Sequence, residues 1–461
     1  MNVLLPEARN ASPVSTGEVT LMQMLDARER RVRRQQELLA RYGQTLLCFT
    51  MNIAGPVKNS PLIRRGFALG KRLLEQQLLT GKAQVLHFEE SCENTGCEAF
   101  YVLSCDALTA KGAAVVVEDH TQAGRLFDMD VLRPDGTKVE RQELGLEERK
   151  CLICGKPARS CARSRTHTVA QLQEKTTALL EAALKCHESR QIASLACRAL
   201  LCEVAATPKP GLVDRENSGS HRDMDFFTFQ ASAAALWPYF ADCAATGMET
   251  RALPAPETFR QLRGPGLAAE GEMLRATGGI NTHKGAIFSL GLLCGAAGRL
   301  GEPDPEALLR ECARMTEGLT ASDFAGLTPE TAQTMGQKLY LRHGITGVRG
   351  QAEAGFPAVM QVGLPRLEEG LRRGLSLNDA GCAALLAMLA ETVDTNLIAR
   401  SDYETQQRIA RDVGELLQTE PFPTQERLRQ LDAAFVERNL SPGGTADLLA
   451  LTYFLHFMKE S

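Results

Sequence analysis

The 461-residue sequence contains no apolar run of 18 residues, so no membrane-spanning helix is expected. Its longest candidate, 285–298, is short and rich in glycine, and reads as a buried helix. A basic field is also missing: 52 Lys and Arg against 56 Asp and Glu leave a formal charge of −4, with a pI near 6.1. No general nucleic-acid-binding surface follows from that balance. Local basic patches remain, and Arg28, Arg30, Arg31, Arg33 and Arg34, interleaved with Glu29 and Glu37 at helical spacing, read as a solvated helix face. The N-terminus lacks the basic flank and apolar core of a signal peptide, and there is neither an internal repeat nor a low-complexity tract. These absences point to a cytoplasmic, globular protein that partners neither nucleic acid nor membrane. In that compartment, fourteen cysteines suggest reduced thiols and one metal site rather than a disulfide framework.

What is present fits a folded chain: 44% hydrophobic and 23% charged residues match ordinary soluble usage. The length exceeds one ordinary core, and two domains are expected. Residues 1–15 read as a mobile tail. Within 16–175, a helix opens at a Thr16 cap and stops at Gly43. The apolar run "TLLCFTMNIAG", a helix from Pro61 to about Leu79, and the strand-like "AQVLHFEE" and "EAFYVLSC" follow. "GRLFDMDVL" and the run after it, joined through "RPDG", are expected to form a hairpin. From Thr168 to Thr207 helix formers are almost uninterrupted, and 176–461 reads as helices joined by glycine-rich loops, with only 359–364 ambiguous. The expected fold class is therefore multidomain, an α+β domain followed by an all-α domain.

In the first domain, alternation points Asp128 and Asp130 to one side of a strand, where two carboxylates can hold Mg²⁺ against phosphate oxygens. Two solvated strand carboxylates would read the same way. Lys58 and Asn59 precede a helix whose N-terminal amides can receive an anion. Cys151, Cys154, Cys161 and His167 form a C-x2-C-x6-C-x5-H array, able to grip a tetrahedral Zn²⁺. The competing reading is free cysteines in a basic, phosphate-contacting segment.

The second domain repeats one design four times, ionisable residues beside glycine. Lys209, Gly211, Asp214, His221, Asp223 and Asp225 form the first cluster, and Gly279, Asn281, His283, Lys284 and Gly285 the second. Arg349 and Glu353 form the third, and Asp394, Asn396 and Arg400 the fourth. A loop feeding a helix offers free amides and a positive dipole end, so "GGINTHKG", with Thr282 as its cap, is expected to hold a polyphosphate. Glycines there would also serve close helix packing. Asp214, Asp223, Glu353 and Asp394 are candidates to stabilise positive charge at an anomeric carbon or to take a hydroxyl proton. Asp225 also suits the first turn of a helix, and Glu203 reads equally as a helix-surface charge or a metal ligand.

"MNIAGPVKNSP", "GRLFDMDVL" and "CLICGKPARSCARSRTH" resemble the apo-citrate lyase phosphoribosyl-dephospho-CoA transferases, the CitX type, over nearly all of 20–170. That resemblance implies transfer of a phosphoribosyl-dephospho-CoA group to a serine of the citrate lyase acyl carrier protein, its gamma subunit, with release of pyrophosphate. It implies a nucleotidyltransferase-like domain with Asp128 and Asp130 as Mg²⁺ ligands, although the Gly-Ser signature usual before such an acidic pair is not evident. "CEVAATPKPGLVDRENSGSHRDMDF", "GGINTHKGAIFSLG", "GVRGQAEAGFP" and "DTN" resemble the triphosphoribosyl-dephospho-CoA synthases, the CitG type, over about 185–461. Here the implied substrates are ATP and dephospho-CoA, with adenine released and "GGINTHKG" around the triphosphate. The whole chain thus resembles a fusion of the two families. Two other readings stand beside it: equivalent enzymes serving malonate decarboxylase, which the CitX-like segments argue against, and a non-catalytic nucleotide-binding adaptor.

Overall fold

The structure, a computed structural model, describes residues 17–301 and 304–460; the tail 1–15 and the Thr16 cap lie outside the described residues. The chain divides into two compact units between Cys186 and His187, inside the helix Val169–Ala205 and C-terminal to the expected position.

The first unit is built on an antiparallel sheet. β1 (Thr45–Met51), β2 (Val85–Glu93), β3 (Gly96–Leu103) and β4 (Phe127–Leu132) lie in the order β2-β3-β1-β4. Alternation sorts β1 between two cores. Leu47 and Phe49 join Tyr101, Phe127 and Met129 beneath the helices Pro61–Thr80 and Ala107–His120, whereas Leu46 and Cys48 meet Leu38 and Leu39 of the helix Leu21–Tyr42. That first helix begins one turn later than expected, with Thr20 as its N-cap in a capping box with Gln23, and it ends at Gly43 in the left-handed conformation.

Three expectations change here. The arginine run is not simply a solvated face: Arg30, Arg31 and Arg34 pair with Glu93, Glu98 and Glu89, because the helix lies against the carboxylates of β2 and β3. The hairpin after β4 reduces to a tight turn and the isolated bridge Leu132↔Lys138, since Glu140 and Glu143 form a capping box that turns the chain into the short helix Arg141–Leu144. Reduced thiols throughout do not hold either. Cys92 and Cys97, directly opposite across the β2/β3 turn, are disulfide-bonded, and the other twelve cysteines are free.

The second unit is helical, without a strand among its described residues. Its core is carried by Lys284–Leu300, Leu377–Glu391 and Gly443–Glu460, most of whose residues are buried. Small residues let neighbouring helices approach: a Cβ on Gly298 would lie 2.0 Å from the Ala244 carbonyl oxygen of the helix Trp237–Glu249. The ambiguous stretch is a π-helix, Val359–Gly363, which leads into Leu364–Arg372. Asp225 caps Phe226–Ala235. No helix among the described residues is long and apolar enough to cross a membrane.

Candidate functional site

A cavity of about 450 Å³ opens in the helical unit, where the starts of the helices Lys284–Leu300, Thr395–Arg400 and Gly443–Glu460 meet. Of the residues singled out from the sequence, Glu203, His221, Asn281, Thr282, His283, Lys284, Gly285, Asp394, Asn396 and Arg400 line it. Three of the four clusters thus bring ionisable residues to the cavity, and the third reaches it only through Gly347, Val348 and Gln351.

The rest of those candidates lie elsewhere. Lys209 is buried against Glu203, donating to its carbonyl and pairing with its carboxylate. Gly211 donates to Asp432 and is crossed closely by the Leu440 carbonyl. Asp214 is turned into its own loop, accepting from the amides of Lys209, Glu216 and Asn217. Glu353 accepts from Gly318 and Thr320 at the start of the short helix Leu319–Asp323, which holds its carboxyl below the usual range. Arg349 pairs with Asp323, at 2.6 Å. Asp223 and Gly279 are not among the lining residues. Lys209, Asp214, Arg349 and Glu353 thus serve local structure, tying their loops and neighbouring helices.

Inside the cavity, the first turn of Lys284–Leu300 is served by the protein itself. Thr282 is not the cap; its hydroxyl donates to Ser232 Oγ at 2.8 Å, while Asn281 Oδ1 accepts from the Lys284 amide and Asp447 from that of Ala286. Lys284 pairs with Glu270 at 2.8 Å and remains largely exposed. Ser232 Oγ lies 2.7 Å from His283 Nδ1. That hydroxyl accepts from Thr282 and has no other acceptor for its own proton among the described residues, so it donates to Nδ1, and the ring keeps its proton on Nε2, which is buried without a partner. Burial, then Lys209, push the His283 pKa down to about 3, so the ring is a neutral donor aimed into a polar cavity. His221 is fixed in the same tautomer: Arg400 donates to its Nδ1, and its Nε2 donates to Ser441.

Sequence reasoning left Asp447 unnoticed and Glu203 undecided. Both line the cavity with Asp394. Glu203 is buried rather than a surface charge, and Lys209 offsets the burial that raises its carboxyl. Asp394 is saturated, its oxygens accepting from the amides of Asn396, Leu397 and Thr445 and from the Thr445 hydroxyl. Asp447 has no ion-pair partner among the described residues. Burial, then the nearby Glu203 and Asp394, raise its carboxyl well above the usual range. Gly285 makes room for it, since a Cβ there would lie 2.0 Å from Asp447 Oδ2. The available signal was "SPGGTAD", a glycine pair opening a helix with an acid in its first turns.

A second, smaller site lies on the sheet of the first unit. Asp128 and Asp130 share a face of the edge strand β4, opposite Thr50 and Cys48 of β1, and line a groove of about 270 Å³ with Lys111, Lys138, Arg149 and Arg159. Lys138 pairs with Asp130 at 2.6 Å, whereas Arg149 stands 3.8 Å from Asp128. Burial, then repulsion from Asp130, raise the Asp128 carboxyl, leaving an acid pair whose cations do not fully compensate it. Lys58 borders a neighbouring recess that also reaches Asp128, with burial and then Arg28 lowering its pKa. Asn59 is buried instead, donating to the Glu93 carbonyl. Beside the groove, Cys151, Cys154, Cys161 and His167 bring one candidate ligand atom each within 4.8 Å of one another, a cluster able to hold a metal ion.

Two family models match, in this order: apo-citrate lyase phosphoribosyl-dephospho-CoA transferase over residues 19–183, and ATP:dephospho-CoA triphosphoribosyl transferase over 189–461. The chain is 36% identical to Protein CitXG of Haemophilus influenzae over 461 residues, covering 95% of this chain and 97% of that one. The chain belongs to the CitXG family. Protein CitXG of Leuconostoc mesenteroides subsp. cremoris is 34% identical, again over 95% of this chain and 97% of its own length. The 2-(5''-triphosphoribosyl)-3'-dephosphocoenzyme-A synthase of Pectobacterium atrosepticum is 43% identical over 57% of this chain and 87% of its own. Both matching families are transferases, and the chain is an enzyme that joins the two activities of citrate lyase prosthetic-group assembly.

Proposed function

We propose that the chain makes the citrate lyase prosthetic group in its C-terminal unit and attaches it in its N-terminal unit. In the first reaction the ribose of ATP loses adenine and is joined to the 2′-hydroxyl of dephospho-CoA, with the triphosphate retained. In the second, the phosphoribosyl-dephospho-CoA group passes to a serine of the citrate lyase acyl carrier protein, and pyrophosphate leaves. The observation that carries this reading is the order of the two families, together with relatives of the same fused organisation along 95% of the chain.

The cavity chemistry suits the first reaction. Loss of adenine builds positive charge at the anomeric carbon, which a carboxylate stabilises, and the departing base needs a proton. Asp447 is the carboxyl left over for such work, because Glu203 is held by Lys209 and Asp394 by its own hydrogen bonds. The unpartnered Nε2–H of His283 suits an acceptor on the substrate, and Lys284 and Arg400 bring positive charge for phosphates. The N-terminal unit is read as nucleotidyltransferase-like. Its incompletely compensated acid pair fits a divalent cation, so Asp128 and Asp130 would hold Mg²⁺, which neutralises charge on transferring phosphates. The Cys151–Cys154–Cys161–His167 cluster is assigned to Zn²⁺. The reading carries a cytoplasmic location, consistent with twelve free cysteines.

Mass spectrometry tests it. With ATP, Mg²⁺ and dephospho-CoA, the purified chain should release adenine and form the triphosphoribosylated product; adding the apo carrier should then give a mass gain on the carrier. Neither product would sink the proposal.

A further inference from the structure

We infer that the Cys151–Cys154–Cys161–His167 cluster is a zinc clamp that holds one wall of the Asp128/Asp130 groove, so that carrier loading requires zinc while adenine release does not. The inference rests on the proposed division of labour and adds to it a metal dependence confined to one half.

The ligand set comes first. Zinc with Zn–S near 2.3 Å and Zn–N near 2.0–2.1 Å needs ligand atoms roughly 3.5–3.8 Å apart at the corners of a tetrahedron. Cys154 Sγ and Cys161 Sγ already stand 3.4 Å apart, and all four candidate atoms lie within 4.8 Å of one another. His167 Nε2 is buried and has no hydrogen-bond partner. The backbone is bent as a knuckle: the Cys151 amide donates to the Lys156 carbonyl, and Gly155 turns at φ 72°.

The placement comes second. Little apolar surface holds the segment together, with Cys161 buried, Leu152 only partly so and Ile153 exposed. Its connections to the sheet are polar and sit at the base of β4. Arg149 donates to the Phe127 carbonyl and pairs with Glu118, and Arg125 donates to the Lys150 carbonyl. The Ala158 amide donates to the Arg149 carbonyl, closing a two-stranded tab whose residues Arg149, Ala158 and Arg159 face the groove that contains Asp128 and Asp130. A tab with so small a core needs a cross-link to stay folded, and metal binding supplies that free energy in small modules.

The test uses the full chain purified under reducing conditions. Elemental analysis should find about one zinc per chain in the wild type and less than one tenth in Cys154→Ser. Trypsin, which cuts after Lys150, Arg159, Arg163 and Arg165, should spare this segment in the zinc form and cleave it at least roughly tenfold faster after chelation or in Cys154→Ser, because local opening governs cleavage. Carrier loading should fall at least about tenfold in the same preparations and return when zinc is restored to the chelated wild type, with adenine release unchanged. Cys161→His, which keeps a zinc ligand, should retain both metal and loading. Less than one tenth of an equivalent of zinc in the reduced wild type overturns the inference, as does zinc whose removal changes neither cleavage nor loading. If the zinc protein loads no carrier at all, the proposed transferase activity fails, while zinc content and proteolysis still decide the clamp.

Discussion

The two sites solve the handling of acidic groups differently. On the sheet, Asp128 and Asp130 come from one strand, two residues apart, in an open groove where Lys138 and Arg149 stand by. In the helical unit, Glu203, Asp394 and Asp447 come from segments far apart in sequence and share a cavity in which, among the described residues, only Glu203 has a cationic partner. The difference is one of construction. A strand places alternate side chains together by its pleat alone, so a short stretch makes a site. A helical bundle has no such local device, and its site exists only where several helix ends converge. Carboxyl pKa values rise in both sites, but the strand pair keeps Lys138 and Arg149 close and suits phosphate-bound metal, whereas Asp447 is left without a cation and suits proton transfer.

The sharpest way to break this comparison is to remove one acid from each site. Asp128→Asn should lower carrier loading by about 10²–10³-fold while leaving adenine release within about twofold, measured by carrier mass gain and by adenine in the same reaction. Loss of both activities would mean that the halves are not independent. Asp447→Asn should cut adenine release by about 10²-fold and spare loading from preformed precursor, as expected for a group that supplies a proton. An Asp223→Asn control, altering an acid outside the cavity, should leave both activities within about twofold.

A pH titration sharpens the contrast further. The ordinary pKa of His283 is 6.5, and in the fold it falls to about 3. Unfolded protein therefore binds the extra proton first, and stability drops as pH falls from about 6.5 toward 3, with the full contribution present above that window. Urea melts of the wild type should show this loss, and His283→Gln should flatten it. The smallest effect is expected at Lys284, whose pairing with Glu270 leaves it largely exposed. Lys284→Ala should raise the KM for ATP by several-fold, through roughly 1 kcal/mol of lost charge interaction, and change the KM for dephospho-CoA less.

The amino-acid sequence by itself determined the local architecture. Period-two alternation put Asp128 and Asp130 on one face of a strand, helix formers continued from Thr168 to near Thr207, Gly43 stopped the first helix and Asp225 started another. Each of these depends on groups within about one turn or one pleat of each other, so short windows contain the physics. The fourfold repetition of glycine beside charge was equally visible, but its meaning was not. Tertiary structure decided that Asp214 and Glu353 tie their own loops, that Lys209 neutralises Glu203, and that Thr282 turns to Ser232 rather than capping its helix. It alone brought Asp447 to Gly285, residues more than a hundred positions apart, because only packing of distant helices sets which buried carboxyl keeps a partner and which is left facing the cavity.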